Sequence, residues 1–107
     1  MRLGLELGGT NFKLGLITED AKIDKIQMLK ADEFFGSKNF LNDLEKKVDL
    51  FLGTKKIISG GISAKGIVDV KKGMIVDDVG EAKFFSNILL RDFFSEKYNV
   101  PFNIDND

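Results

Sequence analysis

Leu3-Gly4-Leu5-Glu6-Leu7-Gly8-Gly9-Thr10-Asn11-Phe12-Lys13-Leu14-Gly15-Leu16-Ile17-Thr18 is the stretch whose reading decides the fold. Leu3 to Leu7 reads as a short strand, and Gly8-Gly9 marks a turn. Thr10 to Thr18 resumes a strand, with Phe12, Leu14 and Leu16 on alternate positions facing one side. Glu19-Asp20 makes a second turn. Ile23 to Leu29 is a third strand, with Asp24, Lys25 and Gln27 interleaved. Three strands joined by short turns predict an antiparallel meander.

Working outward, Ser37 to Leu52 predicts a helix. Phe40, Leu41, Leu44, Val48, Phe51 and Leu52 fall on one face at helical spacing, with Ser37 or Asn39 as cap and Gly53 as stop. Lys56 to Gly60, holding Ile57-Ile58, predicts a short buried strand. Ile67 to Val70 and Met74 to Val76 flank Lys71-Lys72-Gly73 as a hairpin. Ser86 to Tyr98 predicts a second helix, with Leu89, Leu90, Phe93 and Phe94 on its apolar face. Asn99 suits the left-handed position that ends it. Pro101 bars further helix, and Pro101 to Ile104 starts a last strand. The whole reads as an α/β fold, a mixed sheet with helices packed on it.

Composition narrows the chemistry. The chain has 107 residues, enough for one domain. It has no cysteine and no histidine, which excludes disulfides, Cys/His metal sites, cysteine nucleophiles and Ser-His-Asp triads within it. A general base must then be Asp, Glu, Lys or Tyr. Lys+Arg at 16 and Asp+Glu at 17 leave a net charge of −1, and no basic run exceeds two residues, so nothing points to a nucleic-acid partner. The opening apolar stretch is broken by Glu6 and ends in glycines, unlike a signal peptide, and no run approaches a membrane span. The expected setting is the cytoplasm, with no membrane partner.

Three segments carry candidate chemistry. In Glu6-Leu7-Gly8-Gly9-Thr10-Asn11-Phe12-Lys13 a carboxylate ends a strand and a glycine turn follows at once. Glycines let N–H groups approach an anion without a Cβ in the way. Thr10 adds a hydroxyl, Lys13 a positive charge, and Glu6 a carboxylate that could orient water on a phosphate-bound Mg²⁺. An ordinary hairpin turn would read the same. G-x-x-x-x-G-K-[ST] and G-x-G-x-x-G are both absent. In Ser59-Gly60-Gly61-Ile62-Ser63-Ala64-Lys65-Gly66-Ile67-Val68-Asp69 small residues crowd a strand end, where open sheets present ligands. A glycine-rich connection into a hairpin fits equally. In Asn103-Ile104-Asp105-Asn106-Asp107 an amide among carboxylates suits a polyol and the deprotonation of one hydroxyl, or simply a polar terminus. Phe34-Phe35, Phe84-Phe85 and Tyr98 read as packing residues, and the paired lysines as solvated surface.

Taken together, the three segments resemble the ROK family of repressors, uncharacterised reading frames and sugar kinases. Leu3 to Thr10 resembles the family's opening strand and D-x-G-G-T loop, with Glu6 in place of the usual Asp. Ser63 to Asp69, followed by Lys72-Gly73, resembles S-x-x-G-x-V-D. Asn87 and Leu90, then Val100-Pro101 and Asp105-Asn106-Asp107, resemble N-x-x-L followed by V-P-x-x-x-E-N-D, with Asp105 in place of Glu. The resemblance is collinear over essentially the whole chain. The Asp77-to-Phe85 stretch lacks the Pro-Asn sugar loop of many members.

The resemblance implies a ribonuclease H-like lobe of the actin and sugar-kinase superfold, spanning residues 1–107 and stopping before a second lobe. It implies Asp107 as the general base on a sugar hydroxyl, with Asn106 and Gly66 binding the sugar. Gly8, Gly9 and Thr10 would face the ATP phosphates, with Glu6 near Mg²⁺ through water and Lys13 adding charge; no side chain is expected as a direct metal ligand. The implied reaction moves the γ-phosphoryl group of Mg·ATP to a sugar hydroxyl, in a protein that is a homodimer at full length. A sugar-sensing regulator of the same family is the alternative, although Met1 lies directly before the first strand and no basic recognition helix is present. A type II pantothenate kinase or an acyl-CoA dehydratase activator would open with a similar loop, and a stand-alone binding module for sugar or phosphate is the plainest alternative.

Overall fold

The computed structural model describes residues 1–34, 36–76 and 86–106. The predicted meander is there: β1 (Arg2–Leu7), β2 (Asn11–Ile17) and β3 (Ile23–Lys30) pair antiparallel in sequence order. Alternation dictates how they lie. Leu3, Leu5 and Leu7 of β1 and Phe12, Leu14 and Leu16 of β2 are all buried on one face. The residues between them, including Gly4, Glu6, Lys13 and Gly15, point the other way.

Helix α1 (Phe40–Leu52) follows and lays Phe40, Leu44, Val48, Phe51 and Leu52 on the leucine face. It begins three residues later than the sequence suggested. Asn39 is the cap, its side chain accepting from the Asn42 N–H at 3.1 Å, while the Ser37 hydroxyl is turned to the Asp43 carboxylate. Gly53 ends the helix at φ 58°, and Lys25 donates to the Phe51 carbonyl at 2.7 Å, a cation where the helix dipole is negative. Phe34 fills the space between sheet and helix, stacked on Phe12 and edge-on to Phe40.

Strand β4 (Ser59–Ala64) runs parallel to β1 along its free edge. This corrects the sequence reading, which put the strand at Lys56 to Gly60 and took the glycines for a connection. Ile58 is half exposed, and Gly60 and Gly61 lie within the strand. The reason is steric: a Cβ at Gly60 would fall 2.2 Å from the Phe102 ring of the neighbouring strand. The hairpin of β5 (Ile67–Asp69) and β6 (Met74–Val76) forms a separate two-stranded sheet, as expected.

Helix α2 (Leu90–Tyr98) starts four residues after Ser86. Asn87 sits at φ 57°, which no right-handed helix accommodates, and its N–H donates to the Ile75 carbonyl at 2.7 Å. Leu89 is therefore outside the helix and half exposed, not part of its apolar face. Asn99 takes the left-handed cap that the sequence indicated. Arg91 ties α2 to the hairpin, donating to the carbonyls of Val70 and Lys71. The chain then enters β7 (Phe102–Asn106), parallel to β4 and two residues longer at its end than expected. The five-stranded order is β3-β2-β1-β4-β7, the mixed sheet read from the sequence. Phe35, Phe84, Phe85 and the Asp77-to-Phe85 stretch lie outside the described residues.

Tyr98 joins the two helices by donating to Asp49 on α1 at 2.7 Å, beside Lys97, which lies between Glu45 and Asp49. Burial, and then the hydrogen bond to Asp49, hold the Tyr98 hydroxyl well above the ordinary tyrosine pKa. The fold thus prefers the neutral phenol. Its contribution is complete below the unfolded value, about pH 10, and is lost as pH rises further. Tyr98→Phe should cost about 1 kcal/mol at pH 7, with urea midpoints of the two proteins converging above about pH 10. Gly60→Ala should cost about 1–3 kcal/mol through overpacking against Phe102, read from the same urea curves; an unchanged midpoint would contradict the packing described.

Candidate functional site

Strands β1, β4 and β7 are adjacent and parallel, so their carboxyl ends fall at one edge of the sheet. The three candidate segments, distant in sequence, are the ends of these three strands. Leu7 lies level with Ala64, and Ala64 with Asn106. The Lys65 N–H donates to the Leu7 carbonyl at 3.1 Å, closing the first loop against the second. Such an edge is where open α/β sheets bind ligands.

At the first strand end, the Gly8 N–H donates to the Asn11 carbonyl at 3.0 Å, and a Cβ on Gly8 would sit 2.9 Å from that oxygen. Glycine is required there to close the turn, and its N–H serves the turn, leaving Gly9 and Thr10 as the exposed part of the loop. A Cβ on Gly9 would meet nothing within 4 Å. Thr10 holds the loop to the meander, its carbonyl accepting from the Ala31 N–H at 2.9 Å. Gly9, Thr10 and Asn11 border a depression of about 330 Å³ together with Lys30 and Asp32. Sequence reading missed these last two. They arrive because Asn11 pairs with Lys30 across the second hairpin, a register that includes a shift between Leu16 and Ile17 and that a residue count from the Glu19-Asp20 turn would miss.

One step below the edge, on the face opposite the leucines, Lys13, Glu6, Ser63 and Asp105 stand side by side across four strands. Glu6 and Lys13 form an ion pair at 3.9 Å, each side chain about half exposed. At this exposure the pair adds little stability, so its consequence is placement: it holds both charges beside the strand ends. At the second strand end, Gly66 has φ +106°, a conformation that side-chain-bearing residues rarely adopt. At the third, Asn106 is the last residue of β7 and exposed, and Asp107 lies outside the described residues. Ser63 and Asp105, which sequence reading placed in candidate segments without a role of their own, come beside Glu6 through register. Among the described residues no three carboxylates gather as a metal cluster. A magnesium ion here would be carried by phosphate oxygens, with Glu6 reaching it through water.

No family model matches the sequence, and no curated protein matches it. Solved structures do. A Cytophaga hutchinsonii protein assigned as a sugar kinase matches with a TM-score of 0.81 at 20% identity, over 99% of this chain and 36% of that one. A ROK family glucokinase from Streptomyces griseus, in complex with glucose and AMPPNP, matches with a TM-score of 0.70 at 18% identity, over 98% of this chain and 32% of that one. A ROK family transcriptional regulator, a homolog of the E. coli MLC protein, matches with a TM-score of 0.75 at 16% identity, over 98% and 27%. At these identities the likeness shows the fold, one shared by ROK family sugar kinases and a ROK regulator. The chain spans about a third of the length of the structures it matches.

The glycines of the site should respond differently to a methyl group. Gly66→Ala should cost about 1–3 kcal/mol from backbone strain, because the nearest atom to its Cβ, at 4.0 Å, leaves room. Gly9→Ala should change stability by no more than about 0.5 kcal/mol. Thermal unfolding of the two variants checks both values.

Proposed function

We propose that this chain is the first lobe of a two-lobed, ATP-dependent sugar kinase of the ROK type. One observation carries the reading: the three motif segments, each ambiguous alone, end three neighbouring parallel strands at one sheet edge. The neighbour in complex with glucose and AMPPNP supports ATP and a sugar as the two substrates.

In this reading the exposed Gly9-Thr10 turn lies against the ATP phosphates, Gly9 offering backbone with no Cβ and Thr10 its hydroxyl, and Lys13 adds positive charge beside it. Glu6, held beside Lys13, would orient water around a Mg²⁺ ion, and the ion would supply neutralisation of phosphate charge. Gly66 presents backbone to the sugar, and Asn106 hydrogen-bonds a sugar hydroxyl. Asp107 accepts the proton of the attacking hydroxyl as that oxygen bonds to the γ-phosphorus and the bond to ADP breaks. A second lobe supplies the adenosine site and closes over both substrates to exclude water. The protein works in the cytoplasm, as a homodimer at full length.

A regulator would share this lobe, as the matched ROK regulator does. Phosphoryl transfer separates the two. The 107-residue chain alone should show no sugar-dependent ADP release. In a chain carrying both lobes, Asp107→Asn should lower kcat about 10²–10⁴-fold with KM for ATP little changed. Absence of turnover with any sugar in the two-lobed protein would favour the sensor, and an Asp107→Asn variant of undiminished kcat would remove the assigned base.

A further inference from the structure

The hairpin that leaves the ligand edge is short. β5 and β6 pair over Ile67 with Val76, Val68 with Ile75 and Asp69 with Met74. An isolated two-stranded hairpin is marginally stable at best, so the direction of this one is set by what holds it. Its apolar anchorage is the middle pair: Ile75 is fully buried, and Val68 packs against the core. The Asn87 N–H meets the Ile75 carbonyl at the same level. Anchorage at one level fixes the distance of the hairpin from the lobe and leaves its angle to be set elsewhere.

Arg91 supplies that second point, at the turn. Its guanidinium donates to the Val70 carbonyl at 2.7 Å and to the Lys71 carbonyl at 3.3 Å, and its backbone N–H donates to the Gly73 carbonyl at 3.2 Å. Three carbonyls of one turn thus converge on one residue of α2. Asp92 accepts from the Arg91 Nε at 3.1 Å and so orients the planar group. The turn is shaped to receive it. Gly73 has φ +72°, and a Cβ there would fall 2.7 Å from the guanidinium carbon.

The other end of the hairpin is Gly66. On one side of it the Lys65 N–H is fixed to the Leu7 carbonyl at the sheet edge, and on the other side Ile67 begins β5. A glycine at φ +106° is a joint that accepts a range of angles, so the hairpin decides which one it takes. Tilting the hairpin would turn the peptide group between Gly66 and Ile67. We infer that Arg91 is a positioning residue for the sugar site: from the turn, ~10 Å along the three-residue strand β5, it fixes the angle of the Gly66 joint and so the aim of the backbone there. The inference rests on the reading of Gly66 as sugar-facing and not on phosphoryl transfer, so its test needs no turnover.

The test uses the two-lobed protein, titrated calorimetrically with D-glucose, D-mannose and N-acetylmannosamine; the sugar that the unsubstituted protein binds most tightly is the probe. Arg91→Ala should weaken its binding about tenfold, while affinity for AMPPNP changes by less than about twofold. Arg91→Lys, which keeps the charge and loses the paired donors, should show a similar loss and serves if Arg91→Ala does not fold. Gly73→Ala, which displaces the guanidinium without altering it, should weaken the sugar to the same degree. The Arg91→Ala/Gly73→Ala pair should bind within about twofold of the weaker single variant, because both remove one contact. Tyr98→Phe, which lowers stability at the other end of α2, should leave sugar affinity unchanged, and so separates positioning from general loosening. Undiminished sugar affinity in the Arg91 variants, an equal loss for AMPPNP, additive losses in the double variant, or a matching loss in Tyr98→Phe would each overturn the inference. An unsubstituted protein that binds none of these sugars would overturn the reading of Gly66 and this inference with it.

Discussion

Where β1 meets β4, six residues run side by side, from Arg2 beside Ser59 to Leu7 beside Ala64. Much else depends on that register. It sets the Gly8-Gly9 turn beside Lys65-Gly66, and through β4 it sets Asn106 level with Leu7 and Ala64, from which those two loops leave. It also requires Gly60, since only a missing side chain lets Phe102 lie over β4 and bring β7 close. Shifting β4 by one residue would turn Ile62 and Ala64 to the face opposite the leucines and scatter the strand ends.

The meander was legible because its alternation is strong: Phe12, Leu14 and Leu16 leave no other face to bury. Gly53 and Asn99 were legible as helix ends because each has a local backbone reason to be there. Gly60-Gly61 misled for the opposite reason. Glycine reads as punctuation, whereas here it answers a ring from a strand some forty residues later. The start of α2 was hidden because Asn87 is compatible with helix by type and excluded only by a left-handed backbone. The site divides the same way. Each motif could be read along the chain, but the line of Lys13, Glu6, Ser63 and Asp105 is a property of lateral register, and no spacing in the sequence reports it.

The two faces of the sheet do different work with the same strands. On one, leucine and phenylalanine supply the burial that holds the lobe together, each large side chain contributing about 1.5–3 kcal/mol. On the other, Gly15, Gly4 and Gly61 keep the middle of the face flat, and Lys13, Glu6, Ser63 and Asp105 stand near the strand ends. The alternation that builds the core therefore also decides which residues remain beside the ligand edge.

The β1–β4 pairing has a kinetic consequence. Its two strands lie about half the chain apart in sequence, with the whole meander and α1 between them. The meander can form from near neighbours, but β4 must find β1 after a long loop has closed, and loop entropy is lost before any contact compensates. Until then β1 offers an unpaired edge beside exposed leucines, the kind of surface that captures other chains. During synthesis that interval lasts until residue 64 has left the ribosome, so the emerging meander is the stretch most in need of a chaperone.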